Sequence, residues 1–289
     1  MKKNVWICGL SLLSLIRLYA VEPAVKETVD ADECVIEKYT VFSPSMKRDI
    51  RIVVVLPPAY ISEPGQKFPI LYTLHGYAAP YDTWSQMAPL RQALKDCPMI
   101  VTCLDGDKGS WYLDSPVKPD SQFKTFFFDE FIPFLDQNYR IDTSRRAVTG
   151  FSMGGAGAFQ YMLGKPELFK SVSSLSGAFY HLADPDGQKH ESLAGLIGTY
   201  SEYPERYETL DLYRQIGEKT ALPPIYLHCG TDDYLLAANR EMSGFLKARG
   251  FRVEYRESEG AHNWAFWKAA SADVIKFHWE NGLNPAQRK

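Results

Sequence analysis

Gly150-Phe151-Ser152-Met153-Gly154-Gly155 joins a short β-type run, Arg146-Ala147-Val148-Thr149, to a helix start of small residues, Gly155-Ala156-Gly157-Ala158-Phe159. A strand that turns straight into a helix at a serine forces that serine onto a sharp bend, with its hydroxyl presented above the sheet edge. Glycines two residues before and after it relieve the crowding of such a bend. The backbone N–H groups that open the helix point at the same spot and favour negative charge there. The G-x-S-x-G spacing is a weak signal alone. The strand before it and the helix after it make it a strong one, and they commit the chain to a sheet whose strands run into helices.

The rest of the sequence follows that pattern from about Glu33 onward. Ile50 to Leu56 is β-branched and stops at Pro57-Pro58, and Ile70 to Gly76 reads as a buried strand ending in a turn. Met99 to Leu104, Arg146 to Phe151, Ser171 to Leu175 and Ile225 to Cys229 read likewise, while Phe251 to Tyr255 alternates like an edge-side strand. Between them, Trp84, Met87, Leu90 and Leu94 recur at helical spacing, as do Phe127, Phe131, Phe134 and Leu135. Continuous apolar strands alternating with amphipathic helices specify an α/β fold, with a mainly parallel central sheet covered by helices on both faces. Residues 21–289 are expected to form one such domain. A stretch of about 178–222, rich in tyrosine (Tyr180, Tyr200, Tyr203, Tyr207, Tyr213) and poor in β-branched runs, is too long for a simple connection. It is expected to be a small lid-like insertion above the sheet.

Residues 1–20 read as a secretory signal peptide. Lys2 and Lys3 form a basic start, Val5 to Ile16 is mainly apolar, and Leu18-Tyr19-Ala20 offers a small residue for cleavage, although Arg17 interrupts the late apolar run. About a dozen apolar residues cannot span roughly 30 Å of hydrocarbon as a helix, so stable membrane insertion is not expected and a periplasmic or secreted location is. Loss of this segment removes three cations and no anion, taking the net charge from −3 to −6. A mildly acidic surface argues against a nucleic-acid partner. Cys34, Cys97, Cys103 and Cys229 then remain. Cys103 and Cys229 fall in apolar strand-like runs that suit buried thiols, and Cys97 and Cys103 flank one extended segment whose ends lie roughly 20 Å apart, beyond disulfide reach. The chain has no C-x-x-C, H-E-x-x-H or phosphate-loop lysine motif, so neither a metal nor a cofactor is expected.

A serine hydroxyl needs a base to take its proton, and the base needs a third group to fix its tautomer and stabilise the imidazolium. Gly230-Thr231-Asp232-Asp233 follows the strand Ile225 to Cys229, and Gly260-Ala261-His262-Asn263-Trp264 follows Phe251 to Glu257. Both therefore sit at strand carboxyl ends, where sites in open α/β sheets are built. Of six histidines, His75 precedes the serine, His228 lies inside a strand, His278 falls on a packing face of the last helix, and His181 and His190 lie in the insertion without metal-ligand spacing. His262 is the expected base. Adjacent side chains cannot both face it, and pattern alone leaves Asp232 and Asp233 open as its partner. Donors for an oxyanion are expected from the N–H of Met153, next to the serine, and of Tyr77, after the close-approaching Gly76.

At these residues the chain resembles the putative-esterase family of α/β-hydrolases, also called the esterase D family, which includes S-formylglutathione hydrolases, feruloyl and acetylxylan esterases and mycolyltransferases. The matching segments are Leu56-Pro57-Pro58-Ala59-Tyr60, Leu74-His75-Gly76, Ser110-Trp111-Tyr112, Gly150 to Gly155, Gly230-Thr231-Asp232-Asp233 and Gly260-Ala261-His262. They span nearly the whole mature chain in the family's order. The resemblance implies an α/β-hydrolase fold, selects Asp233 as the acid, and places Trp111 and Tyr112 against substrate. It implies a serine carboxylesterase that needs no cofactor and acts on short-acyl or hydroxycinnamoyl (feruloyl, acetyl) esters, including those on carbohydrates. Acyl transfer to a sugar acceptor, or carbohydrate binding without catalysis on the same fold, are the alternatives. Oligomeric state has no signature in the sequence.

Overall fold

In the computed structural model, which describes residues 25–29, 33–186 and 190–286, nine strands form one sheet. They are β1 (Val25–Val29), β2 (Cys34–Ser43), β3 (Arg48–Leu56), β4 (Phe68–Leu74), β5 (Ile100–Leu104), β6 (Ile141–Phe151), β7 (Ser171–Leu175), β8 (Ile225–Gly230) and β9 (Val253–Ser258). Their order across the sheet is β1-β2-β3-β5-β4-β6-β7-β8-β9. The β1, β2, β3 and β5 pairings are antiparallel, and every pairing from β5 through β4 to β9 is parallel. The expected mainly parallel sheet is therefore present. The leader expected at residues 1–20 lies outside the described residues. Among those described, no helix is long and apolar enough to cross a membrane.

Among the described residues, ten α-helices accompany the strands: α1 (Pro58–Ser62), α2 (Ala88–Ala93), α3 (Phe123–Thr125), α4 (Ile132–Asn138), α5 (Met153–Gly164), α6 (His190–Ile197), α7 (Pro204–Leu210), α8 (Leu212–Gly217), α9 (Leu236–Ala248) and α10 (Trp264–His278). They cover both faces, and the two-residue period of the strands decides what each face meets. On β3 and β4, Ile52, Val54, Ile70 and Tyr72 pack with residues of α4, α5, α8 and α9. Their neighbours Val53, Val55 and Leu71 pack with α2 and α10 on the other side. Burial on both faces is why the central strands read as unbroken apolar runs, whereas edge strand β9 alternates between half-buried and exposed positions.

Two helical expectations are modified by proline. The Trp84–Leu94 pattern is split into a 3₁₀ turn, Thr83–Gln86, and α2, with Met87 extended between them. Pro89 has no N–H to give to the Ser85 carbonyl, which is capped instead by the Arg91 guanidinium at 2.6 Å. Likewise Phe126–Phe131 forms a π-helical stretch ahead of Pro133 in α4. Residues 190–217 of the insertion form α6, α7 and α8. Leu193, Leu196, Ile197 and Tyr207 make a small apolar cluster there with Leu113, separate from the two layers on the sheet. Asp211 caps α8 by accepting the Arg214 N–H at 2.9 Å and also takes the Ala183 N–H at 3.0 Å, tying the insertion together.

Candidate active site

Sheet topology brings four loops together. β5 lies on one side of β4 and β6 on the other, so the strand order reverses there and opens a crevice at the strand carboxyl ends. Ser152 follows the last residue of β6 directly, at φ 54° and ψ −121°, a left-handed backbone that L-residues adopt only when the surroundings impose it. The imposition is visible. A Cβ on Gly150 would lie 2.1 Å from the Gly154 carbonyl oxygen, and one on Gly154 would lie 2.3 Å from the Leu74 oxygen of β4. The bend is therefore too tight for any side chain at those two positions. The Ser152 N–H is held by the Leu175 carbonyl at 2.9 Å, and its own carbonyl receives the Ala178 N–H at 3.1 Å.

His262 and Asp233 arrive from β9 and β8. The Ser152 Oγ lies 2.9 Å from His262 Nε2, while His262 Nδ1 lies 3.0 Å from both carboxylate oxygens of Asp233. The carboxylate orders the ring: Nδ1 carries the proton and donates to it, which leaves Nε2 free to accept from the serine. Asp233 rather than Asp232 makes this contact; Asp233 is buried and Asp232 exposed. Burial alone would raise the Asp233 pKa, but hydrogen bonds from His262, Ser176 and the Leu235 N–H outweigh it and hold the carboxyl below the usual aspartate value. The acid is thus kept ionised.

The loop after β4 lies against the serine. A Cβ on Gly76 would fall 3.2 Å from Ser152 Cβ, so that backbone approaches the hydroxyl only because glycine is there. Among the described residues, no group accepts the N–H of Tyr77 or of Met153. His75 fixes the loop's shape. Its Nδ1 donates to the Gly76 carbonyl at 2.8 Å, and its Nε2 accepts the Gly106 N–H at 2.8 Å. The second bond requires a neutral ring with a free lone pair on Nε2, and burial pushes the pKa down in the same sense.

Tyr112 corrects one expectation. It is fully buried, its hydroxyl donates to the His75 carbonyl at 2.9 Å, and its ring packs against Tyr161 and the Cα atoms of Gly106 and Gly157. No substrate reaches it. Its work is structural, bracing the β4 loop from behind. Trp111, beside it, is half-buried and packs edge-on to Tyr180 at 6.1 Å. His228 and His278 are packed away from Ser152, and His181 pairs with Glu241 at 2.8 Å while stacking on Tyr213. No metal-binding cluster occurs among the described residues. Burial pushes the Cys97 thiol up to about 11 and those of Cys103 and Cys229 up to about 12, so none of these three offers a thiolate near neutral pH.

Two residues at the site escaped sequence reasoning. Ser176, at the carboxyl end of β7 with φ 50°, turns its hydroxyl to Asp233. Trp267 on α10 donates its Nε1–H to Ser176 Oγ at 3.1 Å, stacks on Phe151 at 4.4 Å and stands edge-on to the His262 ring at 4.9 Å. One indole thus touches Phe151, beside the serine, the His262 ring and the Ser176 hydroxyl. Ser176 could have been suspected, because it ends the strand that lies between those of Ser152 and Asp233. Trp267, inside a helix of ordinary apolar pattern, carried no such signal.

An oriented Ser–His–Asp array with unengaged N–H groups beside the hydroxyl is equipped for acyl transfer. Known proteins agree with this class. The pattern of the Putative esterase family matches residues 43–276. The chain belongs to that family and is an esterase-family hydrolase. It is 28% identical over 271 residues to the acetyl esterase of Caldicellulosiruptor saccharolyticus, covering 82% of this chain and 95% of that protein. Among solved structures it superposes on an S-formylglutathione hydrolase from Agrobacterium tumefaciens with a TM-score of 0.77 and 20% identity, covering 90% and 99% of the two chains. It superposes on a ferulic acid esterase with a TM-score of 0.72 and 24% identity, covering 86% and 98%. At these identities the structures establish the shared α/β-hydrolase fold.

Proposed function

We propose that the protein is an exported serine carboxylesterase that hydrolyses short-acyl or hydroxycinnamoyl esters, carbohydrate esters among them, through an acyl-enzyme. The observation that carries the reading is the 2.9 Å approach of His262 Nε2 to Ser152 Oγ, with Asp233 behind the ring. In this mechanism Ser152 Oγ attacks the ester carbonyl carbon as its proton passes to His262 Nε2. The resulting imidazolium is stabilised by Asp233, and the oxyanion is held by the N–H groups of Met153 and Tyr77. Collapse breaks the bond to the alcohol, which leaves with the proton from Nε2. Water then gives a proton to Nε2 and attacks the acyl carbon, and expulsion of Ser152 Oγ returns that proton to the serine. No step calls for a cofactor.

The acetyl esterase relative supports action on simple acyl esters. Export rests on the basic, apolar and small-residue pattern of residues 1–20. Ser152→Ala is expected to lower turnover of p-nitrophenyl acetate by roughly four or more powers of ten with the circular dichroism spectrum unchanged. Hydrolysis retained by that variant would remove Ser152 from the reaction.

A further inference from the structure

Ser152, Ala156 and Gln160 stand four residues apart, so they share one face of α5 and Ala156 leans back toward the serine. Along that face runs a narrow cavity of about 30 Å³, roofed by Leu193 of α6 and Leu210 of α7 and flanked by Trp111 and Tyr180. Gln160 lines it with its amide engaged on both atoms. Its amide nitrogen donates to the Leu210 carbonyl, and its oxygen accepts from Gln215 at 3.0 Å. The remaining lining residues are leucine or alanine. The slot is also tied to the nucleophile from the β7 side, because Ala178, one of its lining residues, donates its N–H to the Ser152 carbonyl.

We infer that this slot receives the acyl group and restricts the enzyme to straight acyl chains of two to four carbons. The inference rests on the serine-esterase reading and deepens it, by choosing between the two acyl classes that reading admits. A space of this size holds roughly two water molecules. That suffices for a few aliphatic carbons but not for a ferulate ring with its methoxy and hydroxyl groups. The lining is also largely aliphatic, with the Gln160 amide already engaged, so burying a phenolic hydroxyl there costs more than burying a short alkyl chain. Each methylene that enters such a slot should gain about fourfold in kcat/KM until the slot is full. Longer acids must then leave their tails outside or push α6 aside.

The test is the kcat/KM of the intact protein for p-nitrophenyl acetate, butyrate, octanoate and ferulate, a series with one leaving group. The octanoate and ferulate values are expected at least tenfold below butyrate. Ala156→Val, which fills the slot, should cut the butyrate-to-acetate ratio at least tenfold, and Leu193→Ala, which opens its roof, should raise the octanoate-to-acetate ratio at least fivefold. Wild-type values for octanoate or ferulate within threefold of butyrate would overturn the inference even if neither variant folds. So would folded variants whose ratios do not move. Ser152→Ala separates the two levels: loss of all activity alongside a flat acyl profile removes the slot alone, whereas persisting activity removes the serine reading itself.

Discussion

His278 should set the acid limit of this fold. The ring is completely buried between α10 and β7, with Nδ1 2.8 Å from Ser171 Oγ and Nε2 2.8 Å from Ser173 Oγ. Ser173 gives its own hydrogen to Thr149 Oγ1 at 2.6 Å, so it accepts from Nε2–H while the Ser171 hydroxyl donates to Nδ1, and the neutral ring is fully satisfied. No carboxylate stabilises the charged form, and burial lowers the pKa from 6.5 to about 3. The sign follows directly. Above pH 6.5 the ring is neutral in both folded and unfolded chains and contributes no pH dependence. Below it the unfolded chain takes up a proton that the folded one refuses, so stability falls by about 1.4 kcal/mol per pH unit until the folded ring also protonates near pH 3. At pH 4 the loss from this one residue is about 3 kcal/mol, a large share of the ~5–15 kcal/mol that holds a typical domain together. His228, lowered to about 4 by burial and then by the Arg256 charge, acts in the same direction. The assay is urea unfolding followed by tryptophan fluorescence at pH 7, 5.5 and 4, in the wild type and in His278→Gln, whose amide can serve both serines. The variant is expected to be less stable at pH 7 because it packs less well, yet to lose about 3 kcal/mol less than the wild type between pH 7 and pH 4. Parallel pH profiles for the two proteins would refute the reasoning.

Three substitutions test the local architecture. Trp267→Phe keeps the stack on Phe151 but removes the Nε1–H donated to Ser176; kcat on p-nitrophenyl acetate should fall about three- to tenfold with KM little changed, consistent with one lost hydrogen bond acting through Asp233. Tyr112→Phe should cost about 1 kcal/mol of stability in urea and leave KM unchanged across substrates, because the hydroxyl holds the His75 carbonyl and is out of substrate's reach; a rise in KM specific to one acyl group would contradict its burial. Gly150→Ala places a Cβ 2.1 Å from a backbone oxygen that cannot move without shifting α5, so a loss of at least 1–3 kcal/mol and of most esterase activity is expected; near-wild-type behaviour in both assays would mean that the bend at Ser152 is not as tight as described.

What could be read from the sequence, and what could not, divides along a physical line. Ser152 and His262 were legible because each lies at or just past a strand's carboxyl end, and such an end in a parallel sheet is placed by the sheet itself; the same position left Asp232 and Asp233 open, and the family resemblance chose between them. The motif residues Gly76, Gly150 and Gly154 were legible for a related reason, since close backbone approach leaves glycine as the only residue that fits. β1 and β2 were missed. Antiparallel strands at a sheet's end carry charged residues within their apolar runs, and Glu37 on β2 looks like a solvent position until Tyr39 and Tyr139 are seen donating to its buried carboxylate at 2.9 and 2.6 Å. Tyr112 was misread because an aromatic in a site-adjacent loop has the same local signature whether it faces the substrate or braces the loop from within. Only the long-range contact with the β4 loop decides between the two. Trp267 belongs to the same class: its value comes from Ser176, 91 residues away, and from a ring that touches three elements at once. The groups that carry the proposed chemistry lie near ends that topology fixes, whereas the residues packed around them lie wherever packing brings them. A reading of local pattern therefore recovers the chemistry of such a site before it recovers the support behind it.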